Sequence, residues 1–321
     1  MGKTAFIFPG QGAQYVGMAG EICEISAAAG RIFDEATEAL GFDMRKMVFE
    51  SDDETLKITE NTQPAVLTAS VACAQPLLEV GVKPDYTAGL SLGEYAAHVI
   101  SGSLDFKDAV RLVRKRGKYM QEAVPAGRGS TVAILGLSRE AVFEACKEAS
   151  ALGTVEPTNF NCPGQIVIAG ENASVNEAVK LALNKGAKRA ILLNVSAPFH
   201  CGLLKSAGEK LEKEFESIAV KPMTIPVVTN VTGRPIESSD DIKDFLVRQV
   251  SSPVYWEDCI RAMIEDGVDT FVEIGPGKVL TGFMKKIDKN AKALNVEDKA
   301  SLEQTLAFLG SRQERDIKDE L

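Results

Sequence analysis

Tyr86-Thr87-Ala88-Gly89-Leu90-Ser91-Leu92-Gly93-Glu94-Tyr95-Ala96-Ala97 reads as a short strand that turns sharply into a helix, with one serine held between two glycines. A G-x-S-x-G sequence in that context is the elbow that presents a nucleophilic hydroxyl at the carboxyl end of a sheet. Glycine at 89 and 93 permits a tight turn. The helix that follows aims unpaired N–H groups and the positive end of its dipole at any oxygen gaining charge there. The stretch points to an α/β fold and to acyl chemistry at Ser91; the bland alternative is a chance match in an ordinary loop.

Outward from this stretch, strands and helices alternate from Thr4 to about Gln121. A strand is expected at 5–8, helical stretches around 32–40 and 64–80, a strand at 86–89, a helix at 94–100 and a long helix from Phe106. Such alternation predicts a mainly parallel sheet between helices, an α/β-hydrolase-like core. The pattern then changes, with strands at 131–135, 155–159, 165–169 and 190–195 and helices at 139–148 and 174–183. The second helix would be opened by the capping box Ser174-Val175-Asn176-Glu177. This β-α-β-β-α-β order is that of a ferredoxin-like subdomain. Gly-rich residues 125–129 and Ser196-Ala197-Pro198 would border it. The expected division is a catalytic core of residues 1–123 and 198–321 with residues 124–197 inserted, and a substrate cleft between the two. After 198 the α/β pattern resumes, with strands at 226–229 and 270–273.

Composition narrows the function classes. A chain of 321 residues that is 45% hydrophobic can bury a large core. A formal net charge of −9 argues against nucleic-acid binding, which depends on neutralising phosphates. No run is apolar enough to span a membrane, and Met1-Gly2-Lys3-Thr4-Ala5-Phe6 lacks the features of a signal peptide. The six cysteines have no C-x-x-C spacing, so neither a metal site nor a disulfide framework is expected, and a reducing, cytoplasmic setting is. Phosphate loops fail on inspection: Gly10-Gln11-Gly12 has Tyr15 where a third glycine belongs, and Gly277-Lys278 lacks the remaining Walker residues. No cofactor is expected.

A serine hydroxyl needs a base, and the chain has two histidines. His98 lies two turns down the helix from Ser91, about 10 Å away at 1.5 Å per residue, and reads as a packed core histidine. His200 precedes Leu203, Leu204, Ala207, Leu211, Phe215 and Ile218, which share its helical phase. It is expected to face inward in the first turn of that helix, where the dipole disfavours the imidazolium; a buried capping histidine is the alternative. The helix ending at Gln249 is followed by Pro253, which cannot supply the N–H that the Gln249 carbonyl expects, so that carbonyl could hold a histidine ring. Arg116 falls among Val110, Leu112, Val113, Gly117, Tyr119 and Met120 on the apolar arc of its helix. A buried guanidinium needs an anion, supplied either by a protein carboxylate or by the substrate.

Several of these motifs occur together in one family. Phe8-Pro9-Gly10-Gln11-Gly12-Ala13-Gln14, Gly89 to Tyr95, Arg111-Leu112-Val113 through Arg116-Gly117, Asn161 through Pro163-Gly164-Gln165, Ala197-Pro198-Phe199-His200 and Glu273-Ile274-Gly275-Pro276-Gly277 run in that order. In this the chain resembles the malonyl-CoA:acyl carrier protein transacylases. The resemblance implies that malonyl moves from coenzyme A to Ser91 and then to the phosphopantetheine thiol of acyl carrier protein, supplying fatty acid synthesis. It implies His200 as base, the Gln249 carbonyl as its orienter, the N–H groups of Gln11 and Leu92 as oxyanion hole, and Arg116 as clamp on the malonyl carboxylate. Gln63 and Asn161 match positions lining such sites. Two positions depart from common forms: Leu90 stands where many relatives have His, and Phe199 where several have Ser. The Phe199 ring is expected to crowd a methyl branch on the acyl group. Two further readings stay open, an esterase or thioesterase, and a non-catalytic docking module suggested by Arg111, Arg114, Lys115 and Lys118.

Overall fold

Strand β1, Lys3–Phe8, is apolar on both faces, which is the pattern of a central strand covered on both sides. Phe6 and Phe8 enter one hydrophobic core, and Ala5 and Ile7 enter a second on the opposite face. The computed structural model describes residues 2–125, 127–193 and 197–319, with side chains through 312. Residues 194–196, which carry the end of the strand expected at 190–195 and part of the expected border, lie outside the described residues, as does Ala126.

Around β1 the larger sheet takes the order β10-β9-β1-β2-β7-β8, from Lys292–Val296, Val268–Ile274, β1, Tyr86–Gly89, Val227–Thr229 and Arg234–Pro235. All its pairings are parallel except β7 with β8. Parallel neighbours β1 and β2 end side by side, so Pro9-Gly10-Gln11 and Leu90-Ser91 emerge together at the carboxyl edge. That is where an open α/β sheet binds ligands. One core lies under the helices Thr59–Glu79 and Phe106–Ala123, the other under Trp256–Glu265 and Val279–Ile287.

A second sheet, antiparallel throughout, has the order β4-β5-β3-β6, from Val155–Cys162, Gln165–Glu171, Gly129–Leu135 and Arg189–Leu192. With the helices Arg139–Ala149 and Asn172–Asn184 it encloses a core of its own. Backbone bonds from Phe160 N–H to Val254 O (2.9 Å) and from Val254 N–H to Thr158 O (2.8 Å) tie it to the larger sheet's side of the molecule.

Some elements differ from the sequence reading. The expected capping box does not cap: the second helix of the small unit begins at Asn172 after Glu171, and the Ser174 hydroxyl instead donates to the carbonyls of Thr154 and Glu171. Strand β10 was not anticipated, because Lys292-Ala293-Leu294-Asn295-Val296 is a half-buried edge with weak alternation. Helix Thr59–Glu79 contains Pro64 and Pro76 and starts earlier than the expected 64. Among the described residues no helix is long and apolar enough to cross a membrane.

The turn glycines are fixed by close approach. A Cβ at Gly89 would lie 1.9 Å from the Gly93 carbonyl carbon, and one at Gly93 would lie 2.2 Å from the Phe8 carbonyl oxygen. Gly282, in the helix Val279–Ile287, has nothing within 4 Å of such a position. Gly93→Ala is expected to destabilise by about 4 kcal/mol or more, and Gly282→Ala to stabilise by up to about 1 kcal/mol. Urea unfolding of the two variants beside the parent chain checks both signs.

Candidate active site

Among the described residues Ser91 is one of three non-glycine residues with positive φ, at 53°, a left-handed conformation that costs about 1–3 kcal/mol and persists only where neighbours impose it. The neighbours here are hydrogen bonds on every side of the turn. Leu90 N–H donates to Phe8 O at 3.0 Å, and Ser91 N–H donates to Asn230 Oδ1 at 2.6 Å. Asn230 Nδ2 donates back to Gly89 O at 2.7 Å, and Gln249 Nε2 donates to Ser91 O at 3.0 Å. Asn230 directly follows β7, so the strand next to β2 brings the clasp to the elbow.

The Ser91 hydroxyl lies 2.7 Å from His200 Nε2. The other ring nitrogen, Nδ1, lies 2.8 Å from the main-chain carbonyl of Gln249, the last residue of the helix Ile242–Gln249. A carbonyl can only accept, so Nδ1 carries the hydrogen and Nε2 is left to accept the serine proton. Burial, and then the Arg116 charge, push the His200 pKa down to about 3. The expected placement in a first helical turn is corrected: His200 sits in a turn at φ 61°, followed by a 3-10 turn at Gly202–Leu204, and the helix begins only at Lys205. Desolvation and a neighbouring cation, rather than a helix dipole, keep the ring neutral.

Arg116, 1% exposed, projects from the helix Phe106–Ala123 into the same place. Nη2 donates to Ser91 Oγ at 3.1 Å and to Gln249 Oε1 at 2.9 Å, and Nη1 donates to Gln63 Oε1 at 3.0 Å. Its guanidinium carbon is 5.5 Å from the centre of the Tyr95 ring. Among the described residues no carboxylate oxygen lies within 4 Å of it. Of the two sources of an anion left open by the sequence, a directly paired protein carboxylate is thereby removed.

The cavity above these groups measures about 270 Å³ and is lined by Gln11, Gln63, Ser91, Arg116, Asn161, Phe199 and His200 among others. It runs between the two sheets, since Thr131, Ala133 and Val167 of the small sheet also line it. Leu92, the remaining residue of the expected set, is buried at the start of the helix Gly93–Ile100. Neither its N–H nor that of Gln11 meets an acceptor among the described residues. His98 is buried elsewhere, its Nδ1 2.9 Å from Ser103 Oγ. Arg111, Arg114, Lys115 and Lys118 each face an acid, respectively Asp108, Glu60, Glu214 and Glu122. Two residues of the site went unread in the sequence, Glu94 and Asn230. Glu94 had a signal, an acid among Tyr95, Ala96 and Ala97 in a short apolar helix; Asn230 had none.

A strained serine hydrogen-bonded to a neutral histidine at the carboxyl edge of a parallel sheet is the arrangement that a serine nucleophile requires. Comparison with known proteins narrows the class: the acyl transferase domain family matches residues 5–306, and the chain belongs to that family. The malonyl CoA-acyl carrier protein transacylase of Bacillus subtilis is 47% identical over 317 residues, 98% of this chain and 99% of that protein. The crystal structure of the protein of the same name from Clostridium perfringens superposes with a TM-score of 0.95 at 46% identity, covering 99% of this chain and 100% of that one. A malonyl-transacylase solved in complex with a type II PKS acyl-carrier protein superposes with a TM-score of 0.92 at 44% identity, covering 95% and 99%.

Because the His200 pKa is lowered, the ring stays an unprotonated acceptor as pH falls through the usual histidine range. The rate at which a fluorophosphonate labels Ser91 is expected to be flat between about pH 5 and 8. A limb near 6.5 in that profile would contradict this electrostatics.

Proposed function

We propose that this chain is a malonyl-CoA:acyl carrier protein S-malonyltransferase of fatty acid synthesis, working through a malonyl-serine intermediate. The observation that carries the reading is the Arg116 guanidinium, sealed from water 3.1 Å from the Ser91 hydroxyl with, among the described residues, neutral hydrogen-bond partners only. An acyl group bearing a free carboxylate supplies the missing anion and is oriented by the planar fork of donors. A plain acyl ester offers nothing to that charge, which disfavours a general esterase. The names borne by the relatives support the same substrate pair.

In the first half-reaction Ser91 Oγ attacks the thioester carbonyl carbon while His200 Nε2 takes the hydroxyl proton. The Gln249 carbonyl stabilises the imidazolium so formed. The N–H groups of Leu92 and Gln11 are free to bond the tetrahedral oxyanion. Collapse breaks the C–S bond, and His200 returns the proton to the departing coenzyme A thiolate. The second half-reaction is the reverse with the phosphopantetheine thiol of acyl carrier protein as nucleophile: its proton passes to His200, its sulfur takes the malonyl group, and Ser91 recovers its hydroxyl. Gln63 steadies Arg116, while Asn161 and Phe199 shape the acyl and thioester channel. The Phe199 ring beside His200 gives only partial rejection of a methylmalonyl donor, since one methyl is worth about 1–3 kcal/mol. No metal or organic cofactor takes part in these steps.

Within the same reading, residues 1–123 with 198–321 form an α/β-hydrolase-like catalytic core and residues 124–197 a ferredoxin-like subdomain. The strand order of the second sheet and its two helices support the latter. A cytoplasmic setting suits six free cysteines.

Intact-mass measurement after mixing with malonyl-CoA should show one malonyl adduct, lost in Ser91→Ala. Cys201 is buried with its thiol pushed up to about 12 and should carry none; an adduct there would overturn the assignment. Arg116→Ala should lower kcat/KM for malonyl transfer by about 10²-fold or more while sparing acetyl transfer. Equal loss with both donors would remove the clamp.

A further inference from the structure

Glu94, three residues after the nucleophile, is fully buried and belongs to no ion pair among the described residues. One of its oxygens, Oε2, accepts from Gln249 Nε2 at 2.6 Å and from Asn230 N–H at 3.0 Å. Among the described residues the other, Oε1, has no hydrogen-bond partner. These two donors belong to the residues that clasp the strained elbow, since Asn230 holds the Ser91 N–H and the Gly89 carbonyl while Gln249 holds the Ser91 carbonyl. Gln249 does three further things: its main chain holds His200, its Oε1 receives Arg116, and its Nε2 meets Glu94. An amide can point either way, but an oxygen that only accepts forces the NH₂ toward itself and the carbonyl oxygen toward Arg116.

We propose that Glu94 is a positioning residue for the transfer: through Oε2 it fixes the polarity of the Gln249 amide and the seat of Asn230, and thereby the aim of Ser91, His200 and Arg116. The role is that of a hydrogen-bond acceptor, not of a charge. Because Oε1 is unpartnered, a proton can reside there with both bonds to Oε2 intact. Burial pushes Glu94 up to about 7, so both protonation states occur near neutrality. The groups that face it electrostatically are Arg116 on the helix Phe106–Ala123, Tyr95 on its own helix and Cys259 on the helix Trp256–Glu265, with neutral Thr229, Asn230 and Gln249 completing its surroundings. The inference rests on the reading of Ser91 as nucleophile but not on which acyl donor it uses.

Two variants separate acceptor from charge. Glu94→Gln keeps an oxygen for both donors and removes the charge, whereas Glu94→Asp keeps the charge and draws the oxygen back by one methylene. The measurement is the rate of fluorophosphonate labelling of Ser91, located by mass, with thermal midpoints recorded so that rates are compared on folded protein. Glu94→Gln should label within about threefold of the parent and Glu94→Asp at least about thirtyfold more slowly, the scale of loss expected when a catalytic group is misplaced by about 1 Å. Parent-like labelling of Glu94→Asp overturns the proposal, and so does labelling of Glu94→Gln as slow as that of Glu94→Asp. If Glu94→Asp yields no folded protein, Gln249→Leu removes the same clasp from the other side while leaving the main-chain carbonyl on His200. It must then label slowly, and parent-like labelling overturns the proposal. Labelling by the probe without loading by malonyl-CoA would sink the proposed activity and leave the role of Glu94 standing.

Discussion

A guanidinium buried with no carboxylate in contact among the described residues is the constraint around which the site is organised. Removing Arg116 from water costs several kcal/mol unless an anion or a full set of hydrogen bonds compensates. The protein meets that demand halfway, with the amide oxygens of Gln63 and Gln249 and the hydroxyl of Ser91. Among the described residues its Nε has no hydrogen-bond partner. A site left in this state is primed for an incoming negative charge, and the same positive field lowers the proton affinity of His200 and favours the alkoxide of Ser91.

This constraint explains why Gln249 occupies a crossroads. In a hydrolase triad a carboxylate on the histidine would sit close to the cation and neutralise it. Here the histidine is oriented by a main-chain carbonyl, which is neutral and fixed by a helix end, so Arg116 stays available. The buried acid Glu94 stands behind the Gln249 amide rather than against the guanidinium. The strain at Ser91 is carried by the same residues, so Ser91, His200 and Arg116 are held by one hydrogen-bonded unit built where three parallel strands, β1, β2 and β7, end together.

Much of this was legible in the sequence because it rests on local rules. The strand at 86–89, the glycine requirement at 89 and 93 and the apolar arc that buries Arg116 follow from turn sterics and helical period, and the fold contains all three. The free carbonyl of Gln249 followed from Pro253. The features that were not legible depend on contacts distant in the chain. His200 lies in a left-handed turn, not a helix, because its position is dictated by Ser91 and Gln249 rather than by its neighbours in sequence. Ser174 looks like a cap yet bonds to the carbonyl of Thr154 on the adjoining chain segment. Asn230 is a polar residue after a three-residue strand, and only the pairing of β7 with β2 gives it a purpose.

The most direct test is a crystal structure of the chain trapped with malonyl esterified to Ser91. The free carboxylate is predicted to lie in a two-pronged hydrogen-bonded pair with Arg116, with Gln63 and Gln249 still flanking the guanidinium. A carboxylate turned toward solvent, or an Arg116 neutralised by a protein acid in that state, would contradict the account.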